Sequence, residues 1–254
     1  MTDYYWLNED SRKFLYRDYL KLPETPESRV REIAEAAERY LKIEGFADKV
    51  VKYVAQGFYS LSTPLWTNFG KKRGLPISCF GSYVADDMTE ILTKLAEVGE
   101  MSKGGGGTSG YVGDIRPRGA VINSGGTATG VHHQLTTFDS LINYVSQGNI
   151  RRGVFAAYLP IDHGDFDEFL NIRAAGDTIQ DVSIGITVTD EWMQSMIAGD
   201  KKKQTRWAKI IQKRFESGYP YIIFTDNANK QAPQVYKDKG LKIHASNLCT
   251  EIFL

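Results

Sequence analysis

The chain reads as an α/β protein, a parallel sheet with helical crossovers behind a small helical N-terminal region. Three observations carry this reading. Residues 1–60 place apolar residues at helical spacing. From Thr63 onward the pattern changes to strand, glycine-rich loop and helix in alternation, which argues for parallel strands joined by crossovers. Within that stretch Val182, Ile184, Ile186 and Val188 alternate strictly, as a strand does. Two regions follow: 1–60, helical, and 61–254, α/β. No internal repeat or low-complexity linker divides them.

In chain order, 26–45 and 46–61 are predicted helices, with Val30, Ile33 and Ala36 on one apolar face and Val50, Val51, Val54 and Phe58 on the other, and Gly45 between them. Residues 76–84 read as a strand. Asp86 and Asp87 then cap a helix over 87–101, whose Met88, Ile91, Leu92, Leu95, Val98 and Met101 form one apolar stripe. Residues 103–113, KGGGGTSGYVG, are not a phosphate loop of the Walker type, because there the lysine follows the glycines. By composition the segment reads equally well as a flexible connector. A second stripe, Phe138, Leu141, Ile142 and Val145, marks a helix over 136–146. Residues 153–161 are a strand, 190–197 and 205–217 helices, and 219–225 a buried strand.

Composition sets bounds on function. Hydrophobic residues make up 42% and charged residues 24%, ordinary for a globular protein. Net charge is zero, so there is no electrostatic footprint for nucleic acid or an acidic membrane. No apolar run has membrane-spanning length, and the Met1-Thr2-Asp3 start is unlike a signal peptide. Two cysteines, 170 positions apart, point to a reducing compartment, the cytoplasm, and not to a disulfide scaffold. His132, His133, His163 and His244 show no metal-ligand spacing, so no metal is expected, and His163 reads as structural.

The chemistry concentrates at the end of the chain. Asn247, Cys249 and Glu251 alternate, so on an extended segment all three project to one side. A thiol beside a carboxylate is a poor nucleophile, since activation needs the thiolate and nearby negative charge disfavours it. The grouping suits a thiol that exchanges a hydrogen atom while the carboxylate handles a proton. Lone cysteines are more often inert packing residues. Here both lie inside polar motifs, which reverses that expectation.

The segment Ser246-Asn247-Leu248-Cys249-Thr250-Glu251 resembles the active-site loop of the large subunit of ribonucleotide reductase. Upstream, Leu61-Ser62-Thr63-Pro64 and then Ile77-Ser78-Cys79 are similar to that family's substrate-binding threonine and serine and the first cysteine of its redox pair. Residues 146–153, SQGNIRRG, resemble the loop that links effector to substrate. The resemblance covers roughly the last three quarters of the chain and about the first half of the family's catalytic domain.

The resemblance implies a ten-stranded α/β barrel, of which this chain supplies about the first five strands. It implies that Cys249 becomes a thiyl radical, that Glu251 and Asn247 hold the ribose hydroxyls, that Cys79 supplies a reducing equivalent, and that Thr63 and Ser78 bind substrate. Asp86 follows Cys79 by seven residues, as the family's effector-sugar residue does, although capping is the reading its position favours. Arg116, in the loop 114–119, would take dNTP or ATP effector phosphates, with Arg118 a weaker candidate. Gln147 and Arg151 would read the substrate base. The helices over 87–101 and 136–146 would pair with a second large subunit. The family's frequent N-terminal ATP cone has no counterpart here. No cofactor is expected on this chain; an external radical generator is, first a dimetal small subunit and second adenosylcobalamin. Thioredoxin or glutaredoxin would be the reductant. With no third cysteine, and with the family's relay tyrosines and C-terminal cysteine pair beyond Leu254, the chain is expected to be a fragment that needs a complementing C-terminal piece. The rival expectation is a nucleotide-binding remnant without turnover.

Overall fold

A computed structural model of the chain describes residues 3–72, 74–123, 125–145 and 153–253. They form two compact units, 1–78 and 79–254. The change of sequence pattern at Thr63 therefore falls inside the first unit.

The first unit is helical: α1 (Glu9–Asp18), α2 (Pro26–Leu41), α3 (Phe46–Ala55) and α4 (Thr63–Asn68). Only α2 and α3 were visible as periodic runs, and both stop short of the expected 45 and 61. Thr25 and Ser28 exchange side-chain bonds with each other's backbone N–H, and Pro26 occupies the first turn, so the start of α2 is strongly set. Val30, Ala34, Val50, Val51, Val54 and Trp66 make the core. Arg29 is fully buried. Its guanidinium donates to the carbonyls of Trp66 (2.8 Å), Leu65 (3.1 Å) and Phe69 (2.7 Å), which gives acceptors at the end of α4 a donor. Thr63 opens α4, half-buried, with its hydroxyl 3.3 Å from that of Tyr19. Ser78 ends the unit.

The second unit confirms the α/β class and its parallel sheet. Its elements are β1 (Cys79–Tyr83), α5 (Met88–Lys103), β2 (Gly107–Tyr111), α6 (Gly130–Val145), β3 (Phe155–Pro160), α7 (Phe166–Leu170), β4 (Val182–Val188), α8 (Asp190–Ile197), α9 (Lys201–Ser217), β5 (Tyr221–Phe224), α10 (Thr225–Lys230) and α11 (Gln234–Asp238). The five strands lie in chain order β1-β2-β3-β4-β5, every pair parallel.

One expectation fails here. The glycine-rich segment is no connector, since Gly107–Tyr111 is an inner strand, buried over four of its five residues. Its glycines serve close approach: a Cβ on Gly106 would lie 2.6 Å from the Phe80 ring, and one on Gly110 2.8 Å from the Phe155 ring. Composition alone cannot separate a slim strand from a loop. The alternation in β4 likewise understates burial, because all seven residues are buried. Val182, Ile184, Ile186 and Val188 pack with Leu135 and Phe138 of α6 and Ile210 of α9. The intervening Ser183, Gly185 and Thr187 belong to the opposite face, where Ala156, Tyr158 and Ile223 pack with Ala245 and Leu248. A Cβ on Gly185 would meet the Tyr158 ring at 2.4 Å, so glycine makes the slot for that tyrosine.

Of the expected stripe on α5, Ile91 and Val98 are buried while Met88 and Leu92 stand exposed. The cap of α5 is Asp87, whose carboxylate accepts from Thr89 N (2.9 Å) and Glu90 N (3.1 Å); Asp86 takes no part. Among the described residues no helix is long and apolar enough to cross a membrane.

Candidate active site

Residues 246–253 do not form the extended segment that alternation suggested. They make a closed loop, pinned by an antiparallel bridge between Ser246 and Phe253 and by Asn247 N donating to Ile252 O at 2.8 Å. Thr250 adopts a left-handed backbone (φ 66°) to turn the chain. Asn247, 1% exposed, organises this loop. Its Oδ1 accepts from Glu251 N (3.1 Å), Ile252 N (3.0 Å) and the Ser246 hydroxyl (3.2 Å). With Oδ1 saturated, its buried Nδ2 has no acceptor among the described residues.

The loop nevertheless brings the expected groups together. The Cys79 thiol, on the first residue of β1, donates to Glu251 Oε1 at 3.8 Å. Cys79 Sγ, Cys249 Sγ and a Glu251 carboxylate oxygen all lie within 4.8 Å of one another. Cys249 and Glu251 are exposed and Cys79 is half-buried, so the group is open to a reactant.

Sequence reasoning missed the residue beneath this loop. Tyr158, on β3, is buried and donates its hydroxyl to Asn247 O at 3.0 Å. Burial, above all, raises its pKa far above the usual 10, so the phenol stays protonated and a donor. Its signal was faint: a lone tyrosine in an apolar strand, whose glycine slot lies 27 residues away at Gly185. Asn229 steadies the approach to the loop, accepting from Ile243 N and donating to Ile243 O, both at 2.8 Å.

The expected effector residues gather past the carboxyl ends of the strands. Arg116 Nε donates to Asp86 Oδ2 at 2.6 Å, and Arg116 N to Asp86 Oδ1 at 3.3 Å. Both side chains are about one-third exposed. Arg118 is instead forked onto Glu168, at 2.6 and 3.1 Å. Asp165, 6% exposed and unforeseen, accepts from Arg118 N (2.9 Å) and Val131 N (2.8 Å) and so joins this loop to the start of α6. His163 is structural, as expected: Nε2 donates to Ile115 O (2.8 Å) while Nδ1 accepts from Asp165 N (3.0 Å). Tyr83, Tyr111 and His244 pack ring to ring beside them, and the Tyr83 hydroxyl bonds to Asp114. Gln147 and Arg151 lie outside the described residues. Thr63 and Ser78 belong to the first unit.

The chain is similar to proteins of one family in both sequence and fold. The family described as "Ribonucleotide reductase, barrel domain" matches residues 77–206 and 198–254. The structure of the Actinobacillus ureae class Id ribonucleotide reductase alpha subunit superposes with a TM-score of 0.92 and 52% identity, over 100% of this chain and 47% of that one. The ribonucleoside-diphosphate reductase large subunit of Invertebrate iridescent virus 6 is 33% identical over 229 residues, 80% of this chain and 23% of the viral protein. The vitamin B12-dependent ribonucleoside-diphosphate reductase of Mycobacterium tuberculosis (strain CDC 1551 / Oshkosh) is 28% identical over 208 residues, 75% of this chain and 30% of that protein. The chain thus spans less than half the length of each. With a family match over most of its length and a structural match over all of it at 52% identity, the chain belongs to the ribonucleotide reductase large-subunit family, and its second unit is part of that family's barrel domain.

Proposed function

We propose that the chain supplies the thiyl-radical site and the effector site of a ribonucleoside-diphosphate reductase. The observation that carries this is the convergence of two thiols and one carboxylate within 4.8 Å, from positions 170 residues apart. In the proposed reaction Cys249, as a thiyl radical, takes the ribose 3′-hydrogen. Glu251 accepts the 3′-hydroxyl proton. Asn247 holds the loop through Oδ1 and offers Nδ2 to a substrate hydroxyl; a buried donor left without a partner costs about 1–3 kcal/mol, which a bound ligand returns. Cys79 gives one of the two thiol hydrogens as the 2′-hydroxyl leaves as water. The second thiol comes from a complementing C-terminal fragment, with thioredoxin or glutaredoxin restoring both.

An external generator makes the radical. Likeness to an alpha subunit supports a radical-carrying partner subunit, and likeness to a vitamin B12-dependent relative keeps adenosylcobalamin as the second reading. Asp86 and Arg116 are the proposed effector contacts, with Gln147 and Arg151 reading the base. Exposed Met88 and Leu92 on α5 and Tyr144 on α6 suit a dimer with a second large subunit.

The test is Cys249→Ser in the enzyme completed with its missing half and a radical source. Nucleotide binding is expected to persist and deoxynucleotide formation to vanish; measurable product ends the assignment. Cys79→Ser should still allow hydrogen abstraction and give substrate breakdown in place of turnover. Asp86→Ala should blur the match between effector and reduced base more than it slows the maximal rate. A lowered melting temperature with an unchanged effector response would make Asp86 a structural residue only.

A further inference from the structure

We infer that Cys79, Cys249 and Glu251 form a binding site for a thiophilic divalent cation of the zinc class. Three features carry this. The donor set is two sulfurs and one carboxylate oxygen, the ligand types such ions take. Around a tetrahedral zinc, bonds of about 2.3 Å to sulfur and about 2.1 Å to oxygen place the ligand atoms roughly 3.5–3.8 Å apart. Cys79 Sγ and Glu251 Oε1 are 3.8 Å apart, and all three donors lie within 4.8 Å, so a side-chain rotation completes the set.

The backbone beneath the donors is already fixed. Cys79 is held in the β1–β2 register opposite Gly107, and Cys249 and Glu251 ride on the loop that Asn247 closes. The exposure of Cys249 and Glu251 gives the ion an entry path and leaves a fourth position to water. The expectation of no metal rested on histidine spacing along the chain, which says nothing of thiols joined by the fold.

Binding is balanced as one M²⁺ replacing two thiol protons, with no change of oxidation state. The site therefore exists only while both thiols are reduced, and affinity falls with pH. An ion seated there occupies the same thiols that the proposed reductase chemistry uses, and would block it. The inference itself does not rest on that chemistry.

The test uses the reduced full chain, kept anaerobic and free of nucleotide, titrated with Cd²⁺ while the ultraviolet sulfur-to-metal band is followed. With only two cysteines in the chain the band reports these two thiols alone. One ion per chain and two protons released per ion are expected, with no displacement by excess Mg²⁺. Cys79→Ser, Cys249→Ser and Glu251→Gln should each weaken binding by at least about tenfold, the lower end of what even outer-shell partners cost. Unchanged circular dichroism would show each variant folded, and Cys249 and Glu251, being exposed, can be replaced without disturbing the core. The site is refuted if no band appears, if one ion bridges two chains, or if single cysteine variants keep half the band at unchanged affinity. Parent-like binding by Glu251→Gln would reduce it to a bare dithiol and overturn the three-ligand assignment.

Discussion

Two loops of the second unit are built on the same device and braced in different ways. In each, one buried side chain accepts from two backbone N–H groups. At the carboxyl ends of the strands it is Asp165, whose two N–H donors come from different elements, Arg118 in the loop and Val131 in α6. His163 adds a further tie to Ile115. In the 246–253 loop it is Asn247, and its two N–H donors, Glu251 and Ile252, belong to the same loop. That loop is tied to the sheet by the Tyr158 hydroxyl, by Leu248 packed with Tyr158 and Ile223, and by the Cys79 thiol on Glu251. The loop that carries Arg116 and Arg118 is cross-braced to the scaffold. The loop that carries Cys249 takes its shape mainly from bonds within itself.

The sharpest way to break this contrast is to remove each acceptor. Asp165→Ala strands two buried N–H donors and should cost about 3 kcal/mol, since bonds to a charged acceptor contribute about 1.5–3 kcal/mol each. Asn247→Ala should lower global stability by less, while the amides of Glu251 and Ile252 lose protection against hydrogen exchange. Thermal melting and amide exchange on the two variants decide it. Equal losses of melting temperature, with Glu251 and Ile252 still protected, would mean that the thiol loop is no more self-contained than the other.

Tyr158→Phe probes one tie between this loop and the sheet. Asn247 O keeps its bond from Thr250 N, so the expected loss is about 1 kcal/mol, the net worth of one hydrogen bond. In the completed enzyme the variant should lower kcat more than it changes KM, because Cys249 is displaced and the substrate contacts are kept. Alkaline stability gives a second reading. The Tyr158 pKa is raised in the fold and close to 10 when unfolded, so the folded state holds the proton longer. Its stabilisation is full below pH 10 and fades as pH rises beyond it. Parent and Tyr158→Phe should therefore converge in stability above pH 10, and a gap that stays constant would remove Tyr158 from this role.

The division between what the sequence disclosed and what it hid follows the same contrast. The residues of the proposed sites were legible because their chemistry is unusual for their place: thiols inside polar motifs at Cys79 and Cys249, and an arginine in a glycine-flanked loop at Arg116. Strands β3 to β5 and helices α2, α3 and α5 were legible because burial imposes a period. The supports were not. Asp165, Tyr158 and the buried Arg29 act through bonds to backbone groups 34 to 89 residues away, and backbone atoms leave no mark in the sequence. Strand β2 was hidden because its glycines are chosen by the Phe80 and Phe155 rings that cross it. The extended reading of 246–254 failed because Asn247 spends its side chain on closing the loop, which a period-two pattern cannot reveal.

The smallest expected effect concerns acid, at the cross-braced end. His244 packs against Tyr83 and Tyr111, and burial lowers its pKa below the usual 6.5; nearby Lys242 adds to this and Asp114 opposes it. Below pH 6.5 the unfolded chain binds this proton more readily than the folded one, so stability falls as pH drops from 6.5 through the folded value. Above pH 6.5 the group contributes no slope. His244→Gln removes this titration while leaving a side chain of similar polarity. Its melting temperature should therefore decline less than the parent's between pH 7 and pH 5, and the two curves should run parallel above pH 7. Parallel curves throughout would show that His244 protonates as freely in the fold as out of it, and that the ring cluster does not make this end acid-sensitive.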